Sequence, residues 1–162
     1  MVHTFESLLL IIIYSSLAVV VYAYLGYPLL LSLWACLKGK TVLKSTKETV
    51  PSVTVVIAAW NEEARIQARV RNLLDQDYPQ SNLDVLVVSD GSTDSTVSGV
   101  RSMGSDRVTV LSLDERKGKA VAINHGVAAA RGEIIVFADA RQRFSSTTVR
   151  ELVKNFADPS VG

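Results

Sequence analysis

The sequence predicts an α/β protein: a mostly parallel sheet with helices on both faces, preceded by one N-terminal transmembrane helix. Three observations predict it. From residue 51 onward, short apolar and often β-branched runs alternate with helical patterns. Those runs are apolar almost throughout, as strands covered on both faces are. Upstream, no Lys, Arg, Asp or Glu occurs from Ser7 to Leu37, a run of 31 residues.

About 20 apolar residues cross a bilayer, so residues 1–37 are read as a transmembrane segment with length to spare. A cleaved signal peptide would begin with a cationic region and have a shorter apolar core; here the only charge before the run is Glu6. Tyr14, Tyr22, Tyr24, Tyr27 and Trp34 fall along the run, the outer ones suited to the membrane interface. Pro28 is expected to kink the helix or to divide it into a spanning and an interfacial part. Lys38, Lys40, Lys44 and Lys47 follow the run and no Lys or Arg precedes it. The cation-rich side stays cytoplasmic, which puts the protein in the cell membrane, N-terminus outside and the rest inside.

Residues 38–50 read as a polar linker ended by Pro51. The first strand is expected at 52–59, "SVTVVIAA". In the following stretch Ile66, Val70, Leu73 and Leu74 recur at helical spacing. Asn61 is the expected N-cap, with Glu62 and Glu63 in the first turn facing the helix dipole. A strand at 83–90, "LDVLVVSD", is followed by a weaker helix in "DSTVSGVRSM". A strand at 107–113 leads to the alanine-rich "KAVAINHGVAAA", expected to end at Gly132. A fourth strand, 133–139, precedes "SSTTVRELVKNF", with Val149, Leu152, Val153 and Phe156 on one side. The sequence then runs into "ADPSVG", which reads as the start of another element, so the chain is expected to be a fragment.

Ligands of open parallel sheets bind beyond the carboxyl ends of the strands. Read at those ends, the sequence brings polar residues to one sheet edge from four places: Trp60, Asn61 and Glu62; Asp90 and Gly91; "DERKGKA"; and Asp139, Ala140 and Arg141. Each has a plain and a functional reading. Asp90 is turn chemistry, or an acceptor for a nucleobase N–H or a ribose hydroxyl. Asp94 suits a helix cap as well as a ligand contact. Lys119, where loop becomes helix, is a surface residue or a phosphate contact; Arg116 and Lys117 read more readily as a solvated cluster. Glu62 serves the helix dipole or a ligand, and Trp60 packs or stacks on one. Asn124 and His125, inside a helix, read as packing or surface. "KGK" lacks P-loop spacing and no GxGxxG occurs.

The segments "VTVVIAAWNEEARI", "VLVVSDGSTDST" and "RKGKAVAINHGVAAARGEIIVFADA", in this order and at these separations, resemble the nucleotide-sugar half of a family 2 glycosyltransferase. The resemblance covers about residues 51–160. It implies the Rossmann-like, A-type glycosyltransferase fold, here truncated, with 51–162 as its nucleotide-sugar-binding part. Together with "YLGYPLLL" it is similar to membrane-bound members that make or extend polysaccharides, including relatives of cellulose and hyaluronan synthases. It implies transfer of a sugar from a nucleoside-diphosphate sugar, usually a UDP-sugar, to a glycan or lipid acceptor with inversion. Asp90 would contact the base and Glu62 the ribose or base. Lys119 would lie near the diphosphate. Asp139 matches the first carboxylate of the DXD motif, which contacts ribose or metal.

Two departures qualify that picture. Arg141 stands where the second DXD carboxylate belongs, and a guanidinium has no lone pair for Mg²⁺ or Mn²⁺. Either Arg141 pairs with phosphate oxygens and supplies charge that a metal supplies elsewhere, or it pairs with Asp139 or a neighbour while Asp139 and other residues hold a metal. The family's catalytic base lies downstream, so no catalytic residue is expected within this chain. Two other classes remain: a non-catalytic nucleotide-binding or assembly module, and a dinucleotide-dependent oxidoreductase, against which the absence of a glycine-rich turn argues. A nucleic-acid partner is excluded by charge. Residues 1–47 carry four Lys/Arg and one Asp/Glu, the remainder 13 and 15, leaving the latter net negative. A single cysteine, Cys36, rules out an internal disulfide framework.

Overall fold

The computed structural model describes residues 2–39, 50–158 and 160–161. Most of the expected linker, residues 40–49, lies outside them. The chain forms two compact units, residues 1–41 and 42–162.

The first unit is helical from Val2 to Lys38: α1 (Val2–Val21), a π-helical turn (Tyr22–Gly26) and α2 (Tyr27–Lys38). Pro28 does not divide it. A proline lacks the N–H of the helical ladder and its ring presses on the carbonyl four residues back. The widened turn ahead of it absorbs that conflict: Tyr27 N–H donates to Tyr22 O, five residues back, and Pro28 falls in the first turn of α2. Phe5–Lys38, 34 residues containing an 18-residue window of mean hydropathy 2.4, is long and apolar enough to cross a membrane. At 1.5 Å per residue it measures about 50 Å, against roughly 30 Å of hydrocarbon. Two of its hydroxyls are satisfied locally, Ser15 and Ser16 both donating to Ile12 O.

The second unit is a four-stranded sheet, parallel throughout: β1 (Val53–Ala59), β2 (Leu83–Asp90), β3 (Val108–Leu113) and β4 (Ile134–Asp139), in the order β3-β2-β1-β4. All four agree with the expected strands to within a residue. Helices α3 (Ile66–Leu74), α4 (Thr96–Arg101), α5 (Lys119–Ala129) and α6 (Thr148–Val153) connect or follow them.

Alternation along the strands divides the core. Val53, Val55 and Ile57 of β1 and Val85 and Val87 of β2 face α3, α4 and α6, meeting Ile66, Val70, Leu73, Val100, Val149 and Val153. Val56, Leu86 and Val88 point the other way, onto Ala122 of α5. The alanines and glycine of α5 let it lie close to the sheet. A Cβ on buried Gly126 would collide with Val56 Cγ1 and stand 3.2 Å from Val88 Cγ2.

Three expectations are corrected. Asn61 is not the N-cap of α3, which begins five residues later. Its φ is +50°, and it is tied across to the loop after β2: its N–H donates to Ser92 Oγ, its Nδ2 to Thr93 Oγ1, and its Oδ1 accepts Thr93 N–H. Glu62 and Glu63 therefore precede the helix, in a turn where Glu62 O accepts the N–H groups of Arg65 and Ile66. Gly132 does not end α5; the backbone is extended from Ala130, and the N–H groups of Arg131 and Gly132 reach Thr54 Oγ1. Finally, α6 tightens into a 3₁₀ turn at Lys154–Ala157, leaving Leu152 and Phe156 exposed while Val149 and Val153 are buried.

Overpacking a core contact costs about 1–3 kcal/mol, so Gly126→Ala is expected to destabilise the fold by that amount. Asn124→Ala, exposed on the same helix, should change stability by less than about 0.5 kcal/mol. Urea unfolding of both variants checks this; indistinguishable midpoints would contradict the close packing of α5.

Candidate functional site

From β1 the chain moves to β2 and β3 on one side, then returns to place β4 on the other. Strand order thus reverses between β1 and β4, and a crevice opens beyond the carboxyl ends of such a pair. The register brings those ends level: Ala58 pairs with Asp139 and Ala59 with Ser89. A cleft of about 280 Å³ lies there, lined among others by Trp60, Glu62, Asp90, Lys119, Asp139 and Arg141. All five expected donor-site residues, and Trp60, line this one cleft.

Asp90, at the end of β2, is 4% exposed. Its Oδ1 accepts Lys117 N–H at 2.7 Å and its Oδ2 accepts Gly118 N–H at 2.8 Å, so it pins the loop that leads into α5. Next to it, Gly91 has φ +63°, and a Cβ there would collide with the backbone of Glu115 and Arg116. Only glycine combines this left-handed turn with so close an approach. The loop so held carries the Arg116 guanidinium to 3.6 Å from the centre of the Trp60 ring. Arg116, which read as a solvated residue, lines the cleft; no local signal in the sequence marks it. Lys117 contributes its backbone N–H, and Asn124 and His125 are exposed on α5 away from the cleft lining.

The charged groups alternate in sign. Lys119, the first residue of α5, donates from Nζ to Asp139 Oδ2 at 3.0 Å. Asp139 Oδ1 accepts the Arg141 backbone N–H at 2.9 Å. Arg141 Nε donates to Glu62 Oε1 at 2.8 Å. The Glu62 Oε2 atom is buried without a hydrogen bond, with Arg65 Nη1 3.5 Å away. The Arg141 N–H, and then Lys119, hold the Asp139 carboxyl below the usual aspartate range. Glu62 raises the pKa of Arg141. Both side chains are thus charged at neutral pH.

A divalent cation held by protein oxygens needs several of them converging. Among the described residues no three His, Cys, Asp or Glu groups converge. Asp139 is engaged on both oxygens by N–H donors, and Arg141 has nothing to donate to a metal. These residues do not fit a metal ion held by the protein.

Asp94 and Thr96 brace the site from behind. Thr96 Oγ1 accepts Glu62 N–H at 2.9 Å and donates to Asp94 Oδ1, whose other oxygen accepts Glu63 N–H. Thr96, fully buried, gave no signal in the sequence. Burial pushes the Asp94 carboxyl up, but the hydrogen bonds from Thr96 and Glu63 outweigh it and leave the pKa depressed. Its stabilising contribution is therefore present above the ordinary aspartate value and lost as pH falls through the depressed one. Asp94→Ala is expected to cost about 1–2 kcal/mol at neutral pH and much less below the aspartate range. Urea midpoints at the two pH values test this, and an undiminished gap in acid would contradict it.

The glycosyl transferase family 2 profile matches residues 54–162. The chain is 37% identical over 113 residues to a dolichyl-phosphate beta-glucosyltransferase of Drosophila melanogaster, covering 62% of this chain and 35% of that protein. It is 32% identical over 123 residues to a beta-monoglucosyldiacylglycerol synthase of Nostoc sp., covering 74% and 26%. The chain thus spans about a third or less of the length of these curated relatives. Among solved structures, the mannosyltransferase PcManGT of Pyrobaculum calidifontis, in complex with GDP-Man and Mn²⁺, superposes with a TM-score of 0.75 at 37% identity, over 90% of this chain and 44% of that one. S. aureus TarS 1–349 in complex with UDP-GlcNAc gives 0.59 at 26% identity, over 63% and 30%. The parallel sheet is that of the Rossmann-like, A-type glycosyltransferase fold, and by the match over residues 54–162 the chain belongs to glycosyl transferase family 2.

Proposed function

We propose that this chain is the donor-binding part of a membrane-anchored glycosyltransferase. Residues 1–37 anchor it, 38–50 link, and 51–162 bind a nucleoside-diphosphate sugar, UDP being the carrier favoured by the resemblance. The sugar passes to a polysaccharide, lipid or other acceptor with inversion. One observation carries the reading: Glu62, Asp90, Lys119, Asp139 and Arg141, from four separate strand ends, line one cleft at the switch point. Binding of GDP-Man and of UDP-GlcNAc by the two structural neighbours supports a nucleotide-sugar donor.

In this reading the diphosphate exchanges places with carboxylates. Lys119 and Arg141 now bond Asp139 and Glu62; phosphate oxygens entering the cleft take over part of that hydrogen bonding, near the N-terminus of α5. The same cations offset charge that grows on the leaving diphosphate. Freed in part, Asp139 and Glu62 accept from ribose hydroxyls, and buried Asp90 faces the base. The general base for the acceptor hydroxyl is assigned to none of these residues. PcManGT binds Mn²⁺ with its donor; here Arg141 supplies a fixed positive charge, so donor binding depends little on Mg²⁺ or Mn²⁺. Arg141 at the position of the second DXD carboxylate also favours a second reading, a nucleotide-binding or assembly module without turnover.

Thermal unfolding with UDP, GDP and NAD, each with Mn²⁺ and with EDTA, tests the reading. A ligand at a hundredfold over its Kd stabilises the folded state by about 2.7 kcal/mol. The expected result is a rise with UDP that survives EDTA and shrinks in Lys119→Ala and Arg141→Ala. A rise only with Mn²⁺ would discard the role given to Arg141, and no rise with either nucleotide would discard the donor site. The anchor and its orientation have a native probe, since Cys36 is the sole cysteine, two residues before Lys38. A membrane-impermeant maleimide is expected to label Cys36 in inverted vesicles and not in intact cells; the reverse pattern would put the domain outside.

A further inference from the structure

A larger groove, of about 670 Å³, runs between α3 and the loop after β4. Arg65, Arg69, Arg71, Arg141 and Arg143 line it, with one carboxylate, Asp75. Arg65 and Arg141 lean on Glu62. Among the described residues, Arg69, Arg71 and Arg143 form no ion pair.

Arg69 is the unusual member. It is 3% exposed. Its Nη1 donates to Asn72 Oδ1 at 2.7 Å, and its guanidinium lies 4.2 Å from the centre of the Phe144 ring. Asn72 is itself clamped to the Phe144 backbone, accepting from its N–H and donating to its carbonyl. The guanidinium is thus held rigidly, yet its Nε and Nη2 are buried without hydrogen-bond partners. Burial lowers its pKa, and the more distant Asp139 offsets this in part; a guanidinium still stays protonated at neutral pH. A buried cation with unmet donors is costly to a fold unless an anion completes it. A phosphate group offers several acceptor oxygens in the geometry that a guanidinium fork matches, and more than one arginine can share it.

We propose that this groove is a second anion site, taking a phosphate group distinct from the donor's diphosphate, with Arg69 as its buried anchor and Arg71 and Arg143 as outer ligands. Arg141 lines both groove and cleft and joins the two. The site does not rest on the donor reading, because Arg69, Arg71 and Arg143 do not line the cleft. Free phosphate and a lipid headgroup phosphate present the same chemistry to it.

The test is calorimetric titration of the whole 162-residue chain in neutral detergent, at constant ionic strength, with inorganic phosphate and with soluble short-chain phosphatidic acid. Chloride and the matching short-chain diacylglycerol are the controls. Two variants are compared. Arg69→Met removes the guanidinium and keeps an unbranched apolar stem; the double variant Arg71→Ala with Arg143→Ala leaves the buried clamp untouched and decides the matter if Arg69→Met fails to fold. Phosphate binding is expected, weakened about tenfold or more in each variant, with any UDP-induced rise in Tm unchanged. Tighter binding of the short-chain lipid assigns the site to a lipid headgroup, and equal binding to free phosphate. No phosphate binding by the folded wild-type chain, or binding that the variants retain, would overturn the proposal.

Discussion

In-register pairing of β1 with β2 on one side and with β4 on the other is the constraint on which the site depends. A parallel strand must return to the same starting edge, so each connection ends and begins at opposite sides of the sheet. Every carboxyl end therefore opens at one edge, and the reversal of order at β1 leaves a gap there that neither crossover fills. Glu62, Asp90 and Asp139 come together for that reason alone; they belong to three strand ends with no local relation. A slip of one residue in β4 would turn its buried Ile134, Val136 and Ala138 outward and move Asp139 out of line with Ala58.

Within that frame, backbone N–H groups help to set three of the carboxylates. Asp90 takes two from the loop before α5, Asp139 takes one from Arg141, and Asp94 takes those of Glu63 and Thr96. Backbone donors are fixed by the fold, so the acceptors are aimed before any ligand arrives. The side-chain cations differ: Lys119 and Arg141 are well exposed and reach carboxylates by flexible stems. The Lys119–Asp139 pair is exposed on both sides and of the kind that contributes little to stability, whereas Arg141 serves a Glu62 side chain only 8% exposed and changes partner at a greater cost. The cleft thus has rigid acceptors and exposed cationic donors, while Arg69 next door is a rigid donor whose Nε and Nη2 lack acceptors.

The contrast between the two units follows from what surrounds each. In β1 and β2, hydrophobic residues alternate between two helical layers and nearly all are buried to the last few percent. In the N-terminal helix the leucines, isoleucines and tyrosines from Phe5 onward stay exposed along its length, and none of its described side chains is buried. Exposed apolar surface of this extent is of the kind that membranes or partners cover.

The sequence by itself determined the strands, their order along the chain and the edge at which polar residues gather. These depend on local pattern: apolar runs, helical spacing, and a carboxylate where a run stops. It also brought Trp60, Glu62, Asp90, Lys119, Asp139 and Arg141 to that edge, since strand ends in a parallel sheet share one side, but not Arg116. Tertiary structure alone decided the partners. Arg141 reaches Glu62 across 79 residues, Asp90 binds backbone 27 and 28 residues away, and Asn61 turns from expected cap to a cross-loop tie with positive φ. Arg116 against Trp60, buried Thr96 and the orphaned donors of Arg69 belong to the same class. Propensity and periodicity act over one element, whereas a charged side chain's partner depends on which backbones and carboxylates packing brings within a few ångströms, and that is set only when the whole sheet has closed on its helices.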